Sequence, residues 1–313
     1  MSDRAAAGHV AVAVVAYRNP ADVSACLRAL EGSTHRDFEV VICENGGREA
    51  FARLTAALPN QLAGGQPVRI IDGGGNLGFA GGVNRCLAAS PDAEAWWILN
   101  PDAAPETEAM GALLGRLRAG DCDAVGCIIL LPGGRVQSFG GLWRFWLARA
   151  VSLGYGASER IGPDPARIEA RQNYLNGASM MVSRRFVDVA GPMREDYFLY
   201  AEEVEWCLRA RERGLRLGFA PAARVLHRQG STTGAITHIA RRARTPVYLN
   251  VRNSLLVTRD RRPGLLGLAT VTSLVGVLLR YPRRGAWRQL FWALSGWLAG
   301  VRGERGRPAW IAP

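Results

Sequence analysis

Three clusters of residues in this 313-residue chain carry side chains that could do chemistry. The first is Asn100-Pro101-Asp102, which closes an apolar run. A single carboxylate at such a strand end can hold a divalent cation against a diphosphate. The competing role is a helix cap, because Pro105-Glu106 could open a helix. The second cluster is Tyr197–Trp206, with acids at 202, 203 and 205. On a helical wheel of about 100° per residue, Val204, Cys207, Leu208 and Arg211 share one face. Glu202 points nearly away from that face, and Glu203 lies at its edge beside Cys207. A half-desolvated carboxyl has a raised pKa and suits proton abstraction, which favours Glu203 among the three acids. The alternative is that all three solvate a helix and pair with Arg209 and Arg213. The third cluster is His227, followed by Gly230-Ser231-Thr232-Thr233. A neutral imidazole can complete a metal shell or sit satisfied in a core. The hydroxyls of Ser231, Thr232 and Thr233 could meet phosphate oxygens or make a turn.

These residues need a scaffold, and the hydrophobic pattern supplies one. Val10–Ala16, Phe38–Cys43, Val68–Ile71 and Trp96–Leu99 are short apolar runs that read as buried strands. Helical patterns at Ala21–Leu30, Glu49–Leu58 and Phe79–Ala89 alternate with them. Alternation of this kind predicts an α/β fold with a parallel sheet, whose ligands bind outside the carboxyl ends of the strands. The polar residues at those ends are Tyr17, Arg18, Glu44, Asn45, Asp72, Asn100 and Asp102. Gly73-Gly74-Gly75-Asn76-Leu77-Gly78 satisfies the dinucleotide spacing G-x-G-x-x-G, but it follows the third strand rather than the first, which argues against NAD or FAD. Its glycines still allow close approach of backbone N–H groups to a ligand, with Asn76 and Asn84 offering amides. Beyond Ala124–Leu131, Gly133-Gly134 and Gly140-Gly141 punctuate hairpins. Gly154–Arg171 reads as a mobile loop, and a helix is expected from Tyr200 to Arg213.

Composition narrows the functional classes. Hydrophobic residues make up 48% and charged residues 21%, which excludes a disordered, collagenous or polytopic membrane chain. All 39 basic residues are Arg, so a Walker-A loop, a kinase of the usual kind and Schiff-base chemistry, each needing a lysine ammonium, are excluded. Residues 1–240 carry 25 Arg and 25 acids; the net +12 lies wholly in residues 241–313, where 14 Arg face Asp260 and Glu304. A cationic tail suits an anionic surface. Gly264–Leu279 and Leu290–Val301 are uncharged, short of the ~20 residues a spanning helix needs, and flanked by Arg, with Trp287, Trp292 and Trp297 in or beside the second. They read as helices lying in a membrane interface; packing on the core and a single span are the alternatives. The six cysteines form no C-x-x-C pair, and reduced, buried thiols in a cytoplasmic protein are expected.

Taken in order, the segments resemble family-2 nucleotide-sugar glycosyltransferases of the GT-A fold, nearest the bacterial rhamnosyltransferase-like group. The matching pieces are Val14–Tyr17, Val41–Gly47, Asn76–Asn84, Leu99–Asp102, Asn176–Met181, Tyr197–Arg209, Arg224–His227 and Arg252-Asn253. The resemblance implies a Rossmann-like, mostly parallel sheet flanked by helices over residues 1–240, with a basic helical tail at 241–313. It also implies that Ala16, Tyr17, Arg18, Glu44 and Asn45 hold the nucleoside of a dTDP- or UDP-linked donor. Asn76, Gly78, Phe79, Asn84 and Asn100 would shape the sugar-nucleotide pocket. Asp102, helped by His227, would bind Mg2+ or Mn2+; Glu203 would be the general base, with Glu202 its rival. Asn176, Gly177, Trp206, Arg209, Ser231, Thr232 and Arg252 fall to the acceptor or phosphate side. Glu44 stands where the family has Asp, and Asn100 where many relatives carry the first acid of D-x-D. The implied reaction is inverting transfer of a sugar, rhamnose from dTDP-rhamnose foremost, to a glycan or polyprenyl-diphosphate-linked acceptor in cell-surface polysaccharide synthesis. Residues 241–313 would meet an anionic membrane surface, which places the enzyme peripherally on the inner face of the cell membrane. Another hexose, galactofuranose or an aminosugar is the alternative donor, and a non-catalytic nucleotide- or glycan-binding protein the alternative class. Nucleic acid is not an expected partner, since it leaves the acid-bearing half unexplained.

Overall fold

The computed structural model describes residues 8–228 and 238–312. The chain runs β1 (Val10–Ala16), α1 (Pro20–Glu31), β2 (Phe38–Glu44), α2 (Arg48–Ala57), β3 (Val68–Asp72), α3 (Gly78–Ala89) and β4 (Ala95–Leu99), the alternation that the apolar runs require. It continues through β5 (Ala103–Pro105), α4 (Ala109–Arg118), β6 (Ala124–Leu131), β7 (Arg135–Ser138), β8 (Gly140–Arg144), β9 (Arg149–Leu153), α5 (Pro165–Arg171), β10 (Ser179–Ser183), α6 (Arg184–Ala190), α7 (Glu202–Glu212) and β11 (Leu217–His227). Three helices follow: α8 (Arg244–Arg261), α9 (Leu266–Arg280) and α10 (Trp287–Arg302).

The main sheet has the order β3-β2-β1-β4-β10-β6-β11-β5, with β7 paired to β6. β1 to β4 are mutually parallel, and β6 and β11 pair in parallel. β10 is inserted antiparallel between β4 and β6. Period-2 alternation sends Val10, Val12 and Val14 to one face, against Leu27 and Leu30 of α1 and Leu113 of α4. Ala11 and Ala13 go to the other face, against Val83 of α3, Trp206 of α7 and Leu256 of α8. Both faces are covered, which is why the strands are continuous apolar runs.

Two expectations are corrected. Pro105-Glu106 does not open a helix: Ala103–Pro105 is a strand at the sheet edge, where a missing N–H costs nothing, and α4 starts at Ala109. The Gly154–Arg171 segment is not all loop. Asp164 caps α5 by accepting from the Ala166 N–H, and Ile168 is buried beneath Phe139 and Leu153. In the tail, α8 reaches the central core through Leu256 and Val257, the packing that the sequence analysis gives as an alternative. α10 crosses α8 so closely that a Cβ at Gly296 would lie 2.3 Å from the Tyr248 carbonyl oxygen. The six cysteines are free and buried, as the sequence predicts.

Candidate active site

A cavity of about 420 Å³ opens at the carboxyl edge of the sheet. Its first side is built from the ends of β1 and β2 and the start of α3. Tyr17, Asn45, Asn76, Gly78 and Phe79 line it. Asn45 is held rigidly: its N–H donates to the Ala16 carbonyl, and its amide Nδ2 donates to the Gly78 carbonyl at 2.7 Å. Glu44 lies behind this wall, fully buried; its Oε1 accepts from the N–H groups of Arg18 (3.0 Å) and Gly46 (2.6 Å). Its Oε2 is buried and has no hydrogen-bond partner in the structure. Gly78 sits at φ +74 and turns the chain into α3, while the Phe79 N–H donates to the Phe198 carbonyl at 2.9 Å.

The second side holds Asn100, Asp102 and His227. Sheet register brings them together: Ala103 of β5 pairs with His227 of β11, so the neighbouring Asp102 meets the imidazole. His227 Nε2 lies 3.1 Å from Asp102 Oδ1, with each side chain 8% exposed. The Asn100 amide Nδ2 is 3.3 Å from the same nitrogen, and His227 Nδ1 donates to Gln137 Oε1 at 2.9 Å. With Nδ1 carrying the hydrogen, Nε2 is left as an acceptor beside the Asn100 amide and the Asp102 carboxylate, where a cation would join the two side chains. This donor set fits Mg2+ or Mn2+, which take one or two protein ligands and complete their shell from substrate phosphates and water. A bond from the other ring nitrogen to a carbonyl oxygen is what orients a metal-binding imidazole. Among the described residues no group of three or more His, Cys, Asp or Glu could hold a metal.

The third side is the N-terminal turn of α7, with Glu202 and Glu203, beside Asn176 and Gly177. The wheel expectation holds for Glu203, which is half-buried, and fails for Glu202, which is 1% exposed and lines the cavity. The reason lies upstream. Phe198, Tyr200 and Ala201 have φ values of +69, +75 and +70 and fold the chain back, so α7 begins inside the protein. Glu202 Oε2 is buried without a hydrogen-bond partner. Burial pushes both carboxyls well above the usual carboxylate range, and the charge of Glu203 raises Glu202 further. Glu202 is therefore the first of the pair to take up a proton, which leaves Glu203 the better candidate for an ionised base. Glu205, in contrast, is fully buried and paired with Arg209 at 3.1 Å.

Several residues expected at the site are committed elsewhere. Trp206 packs edge-on against Phe186 and donates to the Gly191 carbonyl. Arg209 donates to the carbonyls of Ala190 and Pro192. Asn84 braces Met193 and Glu195. Arg252 is 1% exposed and donates to the carbonyls of Tyr197 and Gly306, which stiffens the turn before α7 without lining the cavity. Ala16, Arg18 and Glu44 support Tyr17 and Asn45 from behind. Ser231 and Thr232 lie outside the described residues. The sequence reading missed Gln137, Thr245 and Ile311, and it singled out Tyr197–Trp206 without placing Phe198–Tyr200 in the lining; no motif marks Gln137 or Ile311, and only the tertiary fold brings them in.

A mostly parallel sheet with acids and a histidine around a cleft at its carboxyl edge is the arrangement of an α/β protein that binds its ligand at the strand ends. The chain belongs to the family described as Glycosyltransferase like family 2, whose profile matches residues 7–245. It is 28% identical over 274 residues to the N-acetylglucosaminyl-diphospho-decaprenol L-rhamnosyltransferase of Mycobacterium tuberculosis H37Rv, covering 78% of this chain and 84% of that one. It is 23% identical to the low-salt glycan biosynthesis hexosyltransferase Agl10 of Haloferax volcanii, over 80% of this chain and 76% of the relative. Among solved structures, the fold is similar to the Pyrobaculum calidifontis mannosyltransferase PcManGT in complex with GDP-Man and Mn2+, with a TM-score of 0.55, 14% identity, and 95% and 88% of the two chains covered. S. aureus TarS 1–349 gives a TM-score of 0.54 at 12% identity, with 94% and 80% covered.

Proposed function

We propose that this glycosyltransferase moves a sugar, with inversion, from a nucleotide diphosphate to a lipid-linked glycan, rhamnose from dTDP-rhamnose being the first donor to test. The observation that carries the reading is one cavity holding both a raised carboxylate pair, Glu202 and Glu203, and the Asp102–His227 donor set. Glu203 takes the proton of the acceptor hydroxyl as that oxygen attacks the anomeric carbon. Glu202, carrying its proton, adds no second charge beside it. Tyr17 and Asn45 position the nucleoside, and Asn100 braces the imidazole. A divalent cation bound by Asp102 and His227 would neutralise the departing diphosphate. The rhamnosyl donor and lipid acceptor are supported by what the mycobacterial relative is named for; hexose, galactofuranose and aminosugar nucleotides are the competing donors. A thermal-shift panel of nucleotide-sugars with Mn2+ tests the reading. A donor raises the midpoint if it binds the folded form, and no shift with any of them would reject a nucleotide-sugar site.

The cation assignment has its own test. Gln137→Leu removes the partner that orients His227, and it should weaken Mn2+ affinity about 10–100-fold. His227→Ala should weaken Mn2+ and donor binding together in calorimetric titrations. If Mn2+ titrates both variants as it does the wild type, His227 is no ligand.

The tail supports a peripheral membrane setting at the inner face of the cell membrane. Leu268, Val271, Val275 and Leu279 form one exposed stripe on α9, and Trp287 and Phe291 another on α10, with exposures of 45–67%. Arg280, Arg283, Arg284 and Arg288 lie among them. Pro263–Arg284 is long and apolar enough to cross a bilayer by length and composition. Its opposite side is nevertheless tied down: Ala269 is buried, and Thr270 and Thr272 are bonded to Trp297 and Trp146. A helix exposed along most of its length and tied down along one side suits lying in the interface. The wild type should pellet with phosphatidylglycerol vesicles, and a Val271→Glu, Val275→Glu, Phe291→Glu variant should stay soluble with an unchanged melting temperature. Equal pelleting of the two would reject this face. Deleting residues 260–313 is a poor test, because it also removes Asp260 and a wall of the cavity.

A further inference from the structure

Asn253 is an amide on the face of α8 that packs into the core. Leu249, Asn253, Leu256 and Val257 recur at helical spacing, and each is 0% exposed. A buried amide is unfavourable unless its hydrogen bonds are made. Here they are made to one short stretch of backbone. The Asn253 Nδ2 donates to the carbonyls of Tyr197 at 3.0 Å, Leu199 at 2.9 Å and Tyr200 at 2.7 Å. Its Oδ1 accepts from Arg252 Nε at 2.9 Å, which settles which end of the amide faces the stretch. The remaining carbonyl, that of Phe198, accepts the Phe79 N–H.

That stretch is strained. Phe198, Tyr200 and Ala201 have φ values of +69, +75 and +70, a region that residues with a Cβ avoid. It also brings three carbonyl oxygens round one side chain, and the amide hydrogens set among them offset their mutual repulsion. Ala201 is the N-cap of α7, and no side chain caps that helix. Glu202 and Glu203 follow at once, so the turn fixes where both carboxyls enter the cavity. Asn253 is not among the residues that line it.

We propose that Asn253 is a positioning residue: by gathering the carbonyls of Tyr197, Leu199 and Tyr200, it sets the place of Glu203 against the acceptor hydroxyl. This rests on the transferase reading above. The amide touches neither donor nor acceptor and acts through the backbone. A displacement of about 1 Å at the reacting atoms costs about 100-fold in rate.

Three variants test the role. Asn253→Leu keeps the volume and removes both donor hydrogens. Asn253→Asp keeps the shape, and burial among carbonyl oxygens holds it protonated, so one donor hydrogen remains. Leu256→Ala is the packing control on the same face of α8. Turnover uses the nucleotide-sugar that shifts the wild type in the thermal panel, with N-acetylglucosamine linked through diphosphate to a short polyprenol as acceptor. Binding is read with dTDP and Mn2+ by calorimetry. For Asn253→Leu, kcat should fall about 100-fold, while dTDP affinity stays within about threefold of wild type. Asn253→Asp should recover part of the loss, and it carries the test if the Leu variant does not fold. The pH profile separates positioning from stability. Glu202, Tyr174 and Cys207 face Glu203. Burial pushes the phenol and the thiol up, so both stay neutral near pH 7, and one saturating Mn2+ concentration holds Asp102 and His227 constant. A turn released from Asn253 admits water to the acids, so the rise of the rate with pH should move below the wild-type value of about 7. Leu256→Ala should leave that rise in place. Asn253→Leu turning over within about threefold of wild type, slowing with an unmoved profile, or losing dTDP affinity as much as kcat overturns the positioning role and leaves the transferase reading standing. A wild type that transfers sugar from no donor of the panel, to the acceptor or to water, rejects the transferase reading and this inference with it.

Discussion

Glu203→Gln is expected to lower kcat by about 10²–10⁴-fold, the contribution of a positioned general base, while donor affinity stays at the wild-type level. Gln preserves the size of the side chain and its contact with Gly177, whose Cβ position lies 3.3 Å from Glu203 Cγ, so the loss reads the proton and not the packing. A purified variant that still turns over within about threefold of wild type would have lost no interaction specific to the transition state, and would end the assignment. The pH profile is an independent reading. Burial pushes the Glu203 carboxyl up to about 7, so only its ionised form can accept a proton, and the wild-type rate should rise with pH through that value. Glu202→Gln should retain far more activity than Glu203→Gln. Its stability should also differ from wild type in a defined window. Both carboxyls bind protons more tightly folded than at their ordinary value of 4.5. The folded state therefore holds more protons than the unfolded chain between about pH 4.5 and 8, and stability falls as pH rises through that range. Glu202→Gln removes part of that cost, so its melting temperature should match wild type at pH 4 and exceed it at pH 8.

Gly78→Ala is expected to be strongly destabilising. The residue sits at φ +74, and a Cβ there would lie 1.9 Å from the Phe198 carbonyl oxygen, the same oxygen that accepts the Phe79 N–H. Left-handed backbone costs about 1–2 kcal/mol for a residue with a Cβ, and overpacking adds about 1–3 kcal/mol. The Phe198 turn leads directly into Glu202 and Glu203, so any relief of the clash moves the acids. Gly74→Ala is the matched control: its φ is also +74, and nothing lies within 4 Å of its Cβ position. Urea unfolding should show Gly78→Ala losing clearly more stability than Gly74→Ala, with donor binding impaired only in the former. Equal losses would mean that the Phe198 contact carries no load.

Much of this site was legible in the chain. β1, β2 and β4 are apolar runs because both sheet faces are covered, and such runs announce themselves and their carboxyl ends. Tyr17, Asn45, Asn100 and Asp102 follow from that rule alone, because the end of a parallel strand is a local property of sequence. The cysteines, too, were readable as buried thiols from their scatter.

What the chain did not disclose depended on partners far away in sequence. A helical wheel sees only its own helix, so it sent Glu202 toward solvent; the structure buries it, because the Phe198–Ala201 turn starts α7 inside the protein and the segment carrying Ile311 closes over that turn. Trp206, Arg209 and Arg252 have the chemistry of ligand-binding residues, and neighbouring carbonyls claim them instead. Gln137 and Ile311 belong to no motif, yet one orients His227 and the other walls the cavity. The sequence alone determined the parallel strands β1 to β4, their covered faces and the strand-end polar groups, since those follow from hydrophobic periodicity and local sterics. Tertiary structure decided which carboxyl is desolvated and which polar groups are left for a ligand, because desolvation and hydrogen-bond satisfaction are set by whatever distant segment packs alongside.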